Sequence, residues 1–141
     1  MKVKVKYHID IDKIQGIDVG DMIDLRCAED TYMKAGEYKQ IPLGVSMKLP
    51  DKHFAIVVPR SSTFKKYGIL MANSVGVIDH KYCGTNDIWA FVAYATRDTF
   101  IPKNERICQF TVIKRREYLE FEEVDELEDP DRGGFGSTGR V

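Results

Sequence analysis

Apolar residues alternate with lysines at the start of the chain: Val3, Val5 and Tyr7 against Lys2, Lys4 and Lys6. A period of two predicts a half-buried strand with a charged outer face, and the lysines would discourage pairing at a sheet edge. A turn over 18–21 leads to a short strand over 22–27. Lys34-Ala35-Gly36-Glu37 predicts a second turn, followed by a strand over 38–49 interrupted near Pro42 and Gly44. Pro50-Asp51 turns the chain again, and 54–58 is an apolar run ending at Pro59. There the pattern changes. Ser61 is a suitable N-cap, 62–67 has helical character and Gly68 stops it, which predicts about two helical turns. Short strands are expected over 69–72 and 75–78, around Asn73-Ser74. Stronger ones cover 89–95 and 107–113, rich in aromatic and β-branched residues, with Pro102-Lys103-Asn104 turning between them. The acidic stretch 120–128 has room for one last short strand. From Asp129 the chain reads as a mobile arm. Many short strands at intervals of roughly 8–12 residues predict an all-β sandwich or jelly roll with one short helix. The expected division is a core over 1–128 and an arm over 129–141.

Length and charge narrow the function. A chain of 141 residues is one domain, and its net charge of -1 gives no field to draw it to nucleic acid or a membrane. An anionic ligand must therefore be held by local arginines. No apolar run reaches about 18 residues, and the N-terminus lacks the apolar core of a signal peptide. Cys27, Cys83 and Cys108 are odd in number and widely spaced, as expected of reduced thiols in a cytoplasmic protein.

Four segments carry candidate chemistry. In 131–139, four glycines leave backbone N–H groups free to wrap an anion. Arg132 adds a forked cation, Ser137 and Thr138 add hydroxyls, and Phe135 is an aromatic with no local core to join. The plain alternative is a flexible Gly/Ser tail. Pro59-Arg60-Ser61-Ser62 lies at a strand-to-helix junction, a place for a second phosphate contact or simply a capped helix. In 76–84, Asp79 follows a short apolar strand and Tyr82 lies three residues on, between Gly76 and Gly84. A fixed carboxylate there can act as a general base, with Tyr82 packing on a sugar, or Asp79 is a turn residue and Tyr82 a core residue. His80 has no metal-ligand spacing around it. Gln109, in Arg106-Ile107-Cys108-Gln109-Phe110, interrupts an apolar strand and must find a partner, a ligand phosphate or solvent. Asp24 sits between Ile23 and Leu25, as a turn residue or part of a hard-cation site. No P-loop, dinucleotide, HExxH or GxSxG motif is present.

In their order and spacing, Asp24, 59–62, 76–84, 106–109 and 132–139 resemble the five motifs of the trimeric dUTP pyrophosphatase (dUTPase) family. Several motifs are shared in part with dCTP deaminases. Ser62, Cys83, a slightly long segment over 84–89 and Asp21-Met22-Ile23-Asp24-Leu25 depart from the commonest pattern, and resemble a subgroup of Gram-positive bacteria and their phages.

The resemblance implies a β-clip, jelly-roll-like distorted barrel or sandwich. It also implies a homotrimer with active sites at subunit interfaces, and dUTP hydrolysis to dUMP and pyrophosphate with Mg²⁺ held mostly by the triphosphate. Such an activity keeps uracil out of DNA and supplies dUMP. Asp79 would activate the water that attacks the α-phosphorus. Tyr82 and Ile78 would pack on the deoxyribose, and Asn73, Gly76 and the main chain of a 75–82 hairpin would bound the uracil pocket. Ser61, Ser62 and Gln109 would hold phosphate oxygens, with Arg60 in electrostatic support and Asp24 reaching the metal through water. Phe135 and Gly136 would cap the uracil while Arg132, Ser137 and Thr138 close on the γ-phosphate, in a neighbour's site. The alternatives are a dCTP deaminase, a bifunctional deaminase–dUTPase, or a phage dUTPase with an added regulatory protein partner.

Overall fold

The computed structural model describes residues 1–16 and 20–136. Eleven strands and one short helix follow each other as β1 (Lys4–Tyr7), β2 (Ile23–Arg26), β3 (Thr31–Met33), β4 (Tyr38–Pro42), β5 (Val45–Lys48), β6 (His53–Pro59), α1 (Thr63–Tyr67), β7 (Ile69–Met71), β8 (Gly76–Ile78), β9 (Ala90–Ala95), β10 (Thr99–Ile101) and β11 (Arg106–Lys114). The all-β class with one short helix is as expected. The strands form a four-stranded sheet in the order β2-β11-β6-β8, a three-stranded sheet β4-β9-β7, and the pairs β1-β5 and β3-β10. Among the described residues no sheet closes on itself.

The alternating pattern explains why the sheets stack. On β6, Ala55 and Val57 are buried, while Phe54, Ile56 and Val58 on the other face are only half-buried. The buried set meets Ile41, Phe91, Ala93 and Ile69 from the three-stranded sheet, as period-two strands with one apolar face require. Trp89 fills the space between, its ring edge-on to Phe110 with centroids 5.3 Å apart.

Several local expectations are corrected. The helix has five residues rather than two turns, and its N-cap is Ser62, not Ser61, with no side-chain cap bond. The hydroxyl that organises the junction belongs to the buried Thr63. It accepts the Arg60 backbone N–H at 3.0 Å and donates to the Ile107 carbonyl at 2.8 Å. Gly68 ends the helix as expected, at φ 65°. The strands around Asn73-Ser74 both form but part company: β7 pairs with β9, and β8 with β6. No hairpin spans 75–82, because β8 finds its partner at β6 and the chain after it folds into a turn. The expected turn at Pro102-Lys103-Asn104 forms, and an additional strand, β10, precedes it, paired with β3. No strand forms over 120–128. The last described strand ends at Lys114, and no neighbouring strand meets the exposed segment beyond it.

Candidate active site

The four-stranded sheet carries one group of predicted residues near each end. At the first end Asp24 on β2 stands opposite Gln109 on β11, and Gln109 stands opposite Val58 on β6. Arg60, just past β6, places Nε 3.0 Å from Asp24 Oδ1, and Arg106 Nη1 lies 3.3 Å from Asp24 Oδ2. The Gln109 amide donates to the Pro59 carbonyl at 3.2 Å, which supplies the partner its place in an apolar strand demands. Ser61 and Ser62 lie exposed beside this cluster. The structure thus places Asp24, Arg60 and Gln109 at one end of the sheet, with the two serines following Arg60 along the chain. Arg106 and Thr63 join them with no role foreseen from the sequence. No sequence pattern singled out Arg106: the bulge that turns it toward the cluster appears only in the β2–β11 register, where Arg106 stands opposite Arg26 and Cys108 opposite Leu25.

At the second end Asp79 follows β8 in a tightly tied loop. Its Oδ1 accepts the Lys81 backbone N–H at 2.8 Å and lies 3.1 Å from His80 Nδ1. The Tyr82 N–H donates to the Asp79 carbonyl at 2.9 Å, and the Tyr82 hydroxyl donates to the Ile88 carbonyl at 3.0 Å. The Gly84 N–H donates to Asp87 Oδ2 at 2.8 Å. Tyr82 is exposed, not a core residue; its backbone is tied to Asp79 and its ring hydroxyl to Ile88. The Lys81 N–H holds the Asp79 carboxyl below the usual carboxylate range. Burial opposes it, and the charges of His80, Arg115 and Lys81 act in the same sense as the N–H. Asp79 is therefore ionised at neutral pH. Ile78 is half-buried opposite Ala55, and Gly76 fits where a Cβ would lie 3.3 Å from that of Val57. Asn73 lies exposed in the turn before β8, its carbonyl accepting the Val75 N–H.

The two groups do not meet. Ile78 pairs with Ala55, whereas Gln109 pairs with Val58 on the opposite side of β6. Strand geometry puts Asp79 on the order of 16 Å from Gln109, and farther from Asp24. Between them the outer face of the sheet carries Phe54, Ile56, Val58, Val77 and Ile113, with Val77 65% exposed. Arg132, Phe135 and Gly136 are exposed at the far end of the described chain, Phe135 completely so. Ser137 and Thr138 lie outside the described residues. No group of three or more His, Cys, Asp or Glu side chains gathers among the described residues.

The profile of the dUTPase family matches residues 20–139. The chain is 51% identical over 140 residues to the SPbeta prophage-derived deoxyuridine 5'-triphosphate nucleotidohydrolase YosS of Bacillus subtilis (strain 168), covering 99% of both chains. Its fold is similar to a mutant dUTPase of Staphylococcus bacteriophage 80alpha with dUpNHpp, with TM-score 0.78, 18% identity, and 97% of this chain and 98% of that one covered. It is similar also to a mutant dUTPase from phage phi11 of S. aureus in which a structural Mg(II) ion is coordinated. There the TM-score is 0.77 at 14% identity, and 92% of this chain and 100% of that one are covered.

Proposed function

The chain belongs to the dUTPase family, and from that premise we propose that it hydrolyses dUTP to dUMP and pyrophosphate at sites shared between subunits of a homotrimer. One observation carries the shared site. A fixed, ionised carboxylate follows β8 and a cationic cluster lies at the other end of the same sheet, on the order of 16 Å away and too far apart for both to reach one α-phosphate, with an exposed apolar strip between them. A second copy packed on that strip buries it, and brings the Asp79 loop of one subunit to the Asp24–Arg60–Gln109 cluster of another.

In that site Asp79 takes a proton from water, whose oxygen attacks the α-phosphorus. The bond to the bridging oxygen breaks and pyrophosphate leaves. Such a reaction needs positioning and charge stabilisation more than covalent chemistry from the protein. Arg60 spends its Nε on Asp24, which leaves both Nη groups for phosphate oxygens. Ser61, Ser62 and Gln109 add neutral donors. Tyr82, its backbone tied to Asp79 and its ring tethered through the hydroxyl to Ile88, packs that ring on the deoxyribose with Ile78 and leaves no room for a 2′-hydroxyl. Gly76, Asn73 and the 75–82 main chain bound the uracil. The 129–141 segment closes over it: Phe135 stacks on the base with Gly136 beside it, and Arg132, Ser137 and Thr138 reach the γ-phosphate.

Mg²⁺ suits this donor set as an ion carried by the triphosphate, because the Asp24 carboxylate faces the two guanidiniums of the cluster and each of its oxygens keeps a lone pair for a water. When bound it neutralises charge on the phosphate oxygens.

Co-expression of Asp79→Asn with Gln109→Ala tests the shared site. Each variant alone is expected to be inactive, and mixed trimers to recover activity, since some sites then combine an intact Asp79 with an intact Gln109. No recovery in verified mixed trimers would place both residues in one subunit's site.

A further inference from the structure

Resting on the dUTPase reading, we propose that Arg106 is an additional substrate-binding residue, a guanidinium braced on Asp24 that binds the polyphosphate part of the substrate.

The fold takes a specific step to present this side chain. Moving from Leu25 to Arg26 on β2 corresponds to moving from Cys108 to Arg106 on β11, so Ile107 is an extra residue in the ladder. Ile107 and Cys108 both point into the core at 0% exposure. In a regular ladder Ile107 would face outward opposite Arg26, and Arg106 would point into the core. The bulge reverses this and puts Arg106 on the face that carries Asp24 and Gln109.

Charge then assigns the role. Asp24 and Arg60 alone sum to zero, a poor basis for holding a triphosphate. Arg106 makes the cluster net cationic. The structure commits Arg106 to Asp24 through Nη1, at 3.3 Å, and its side chain is half exposed. Its other N–H groups form a fork suited to phosphate. Arg26, its register partner, is occupied differently: its Nη1 donates to the Asn104 carbonyl at 2.8 Å and lies 3.6 Å from Asp12. Of the two arginines on this rung, Arg106 is the one turned toward the cluster.

The test compares Arg106→Gln and Arg106→Lys with the unaltered protein, which must first hydrolyse dUTP; if it does not, the family-level reading fails instead. Arg106→Gln is expected to raise KM for dUTP about 10- to 100-fold and to weaken α,β-imido-dUTP by the same factor. Binding of dUMP should stay unchanged, and kcat should change less than KM. Arg106→Lys, which keeps the charge without the fork, should fall between. Inorganic pyrophosphate should compete with the imido analogue less effectively in Arg106→Gln. An unchanged KM in either variant that retains the unaltered melting temperature, or equal weakening of dUMP and the imido analogue, would overturn the assignment.

Discussion

Asp79 accepts the Lys81 backbone N–H at 2.8 Å, so the proposed base is aimed by its own loop. Asp79→Asn keeps this acceptor but cannot take a proton. Turnover is expected to fall by about 10²- to 10⁴-fold with dUTP binding retained. Because the carboxyl is held below its ordinary range, the acid limb of kcat/KM is expected to lie below that of an unperturbed carboxylate. Arg115 contributes to that depression, so Arg115→Gln should move the acid limb of the kcat/KM–pH profile upward.

Asp24→Asn separates orientation from charge. The substitution makes the cluster more positive, and attraction alone would then tighten dUTP binding. Asp24 fixes two guanidiniums, so we expect kcat/KM to fall instead. Asp24 and Arg60 are about a third exposed and Arg106 half exposed. The stability lost should therefore stay near 1 kcal/mol or less. Steady-state kinetics alongside thermal melts read both effects.

Gly68→Ala should destabilise the fold without touching the site directly. Gly68 caps α1 at φ 65°, and a Cβ there would lie 2.6 Å from Arg97 Nε. Arg97 donates to the carbonyl of Lys66 at 2.9 Å, so displacing it also costs a bond at the helix end. The expected loss is about 1–2 kcal/mol, read as a lower urea midpoint.

Much of this fold was legible in local pattern. β6, β9 and β11 announce themselves as apolar, β-branched or aromatic runs, and Gly68 marks the end of α1. β3 and β10 escaped because each is three residues long and exists only through pairing across the chain, Thr31 with Ile101. Ser61 looked like the cap because hydroxyl type is visible in a sequence, whereas the buried bond from Thr63 to Ile107 is not. In the site, Gln109 declared that it needed a partner, but only the β6–β11 register names Pro59 as that partner. Residue type suggested a metal role for Asp24, and its two arginine neighbours emerge only from folding. The 16 Å order of separation between Asp79 and Gln109 is a property of strand order, which no motif spacing encodes.

Deletion after Glu128 should leave the core intact. Residues 129–136 are exposed and add no strand, so the melting temperature should hold. The loss should fall on kcat/KM, by about 10²-fold or more, from the missing base stack and phosphate donors. Phe135→Ala alone should reproduce the base-stacking part of that loss. Full activity in the truncated protein would remove the closing segment from the mechanism.

The most direct measurement is pyrophosphate release from dUTP, dTTP, dCTP and UTP at equal concentration, with Mg²⁺ and with a chelator, and with ammonia followed in the dCTP reaction. We expect rapid release from dUTP, a preference of about 10²-fold or more over the other three, a slower rate on chelation, and no ammonia. Comparable release from all four nucleotides, or ammonia from dCTP with none of the dUTP activity, would contradict the proposed function.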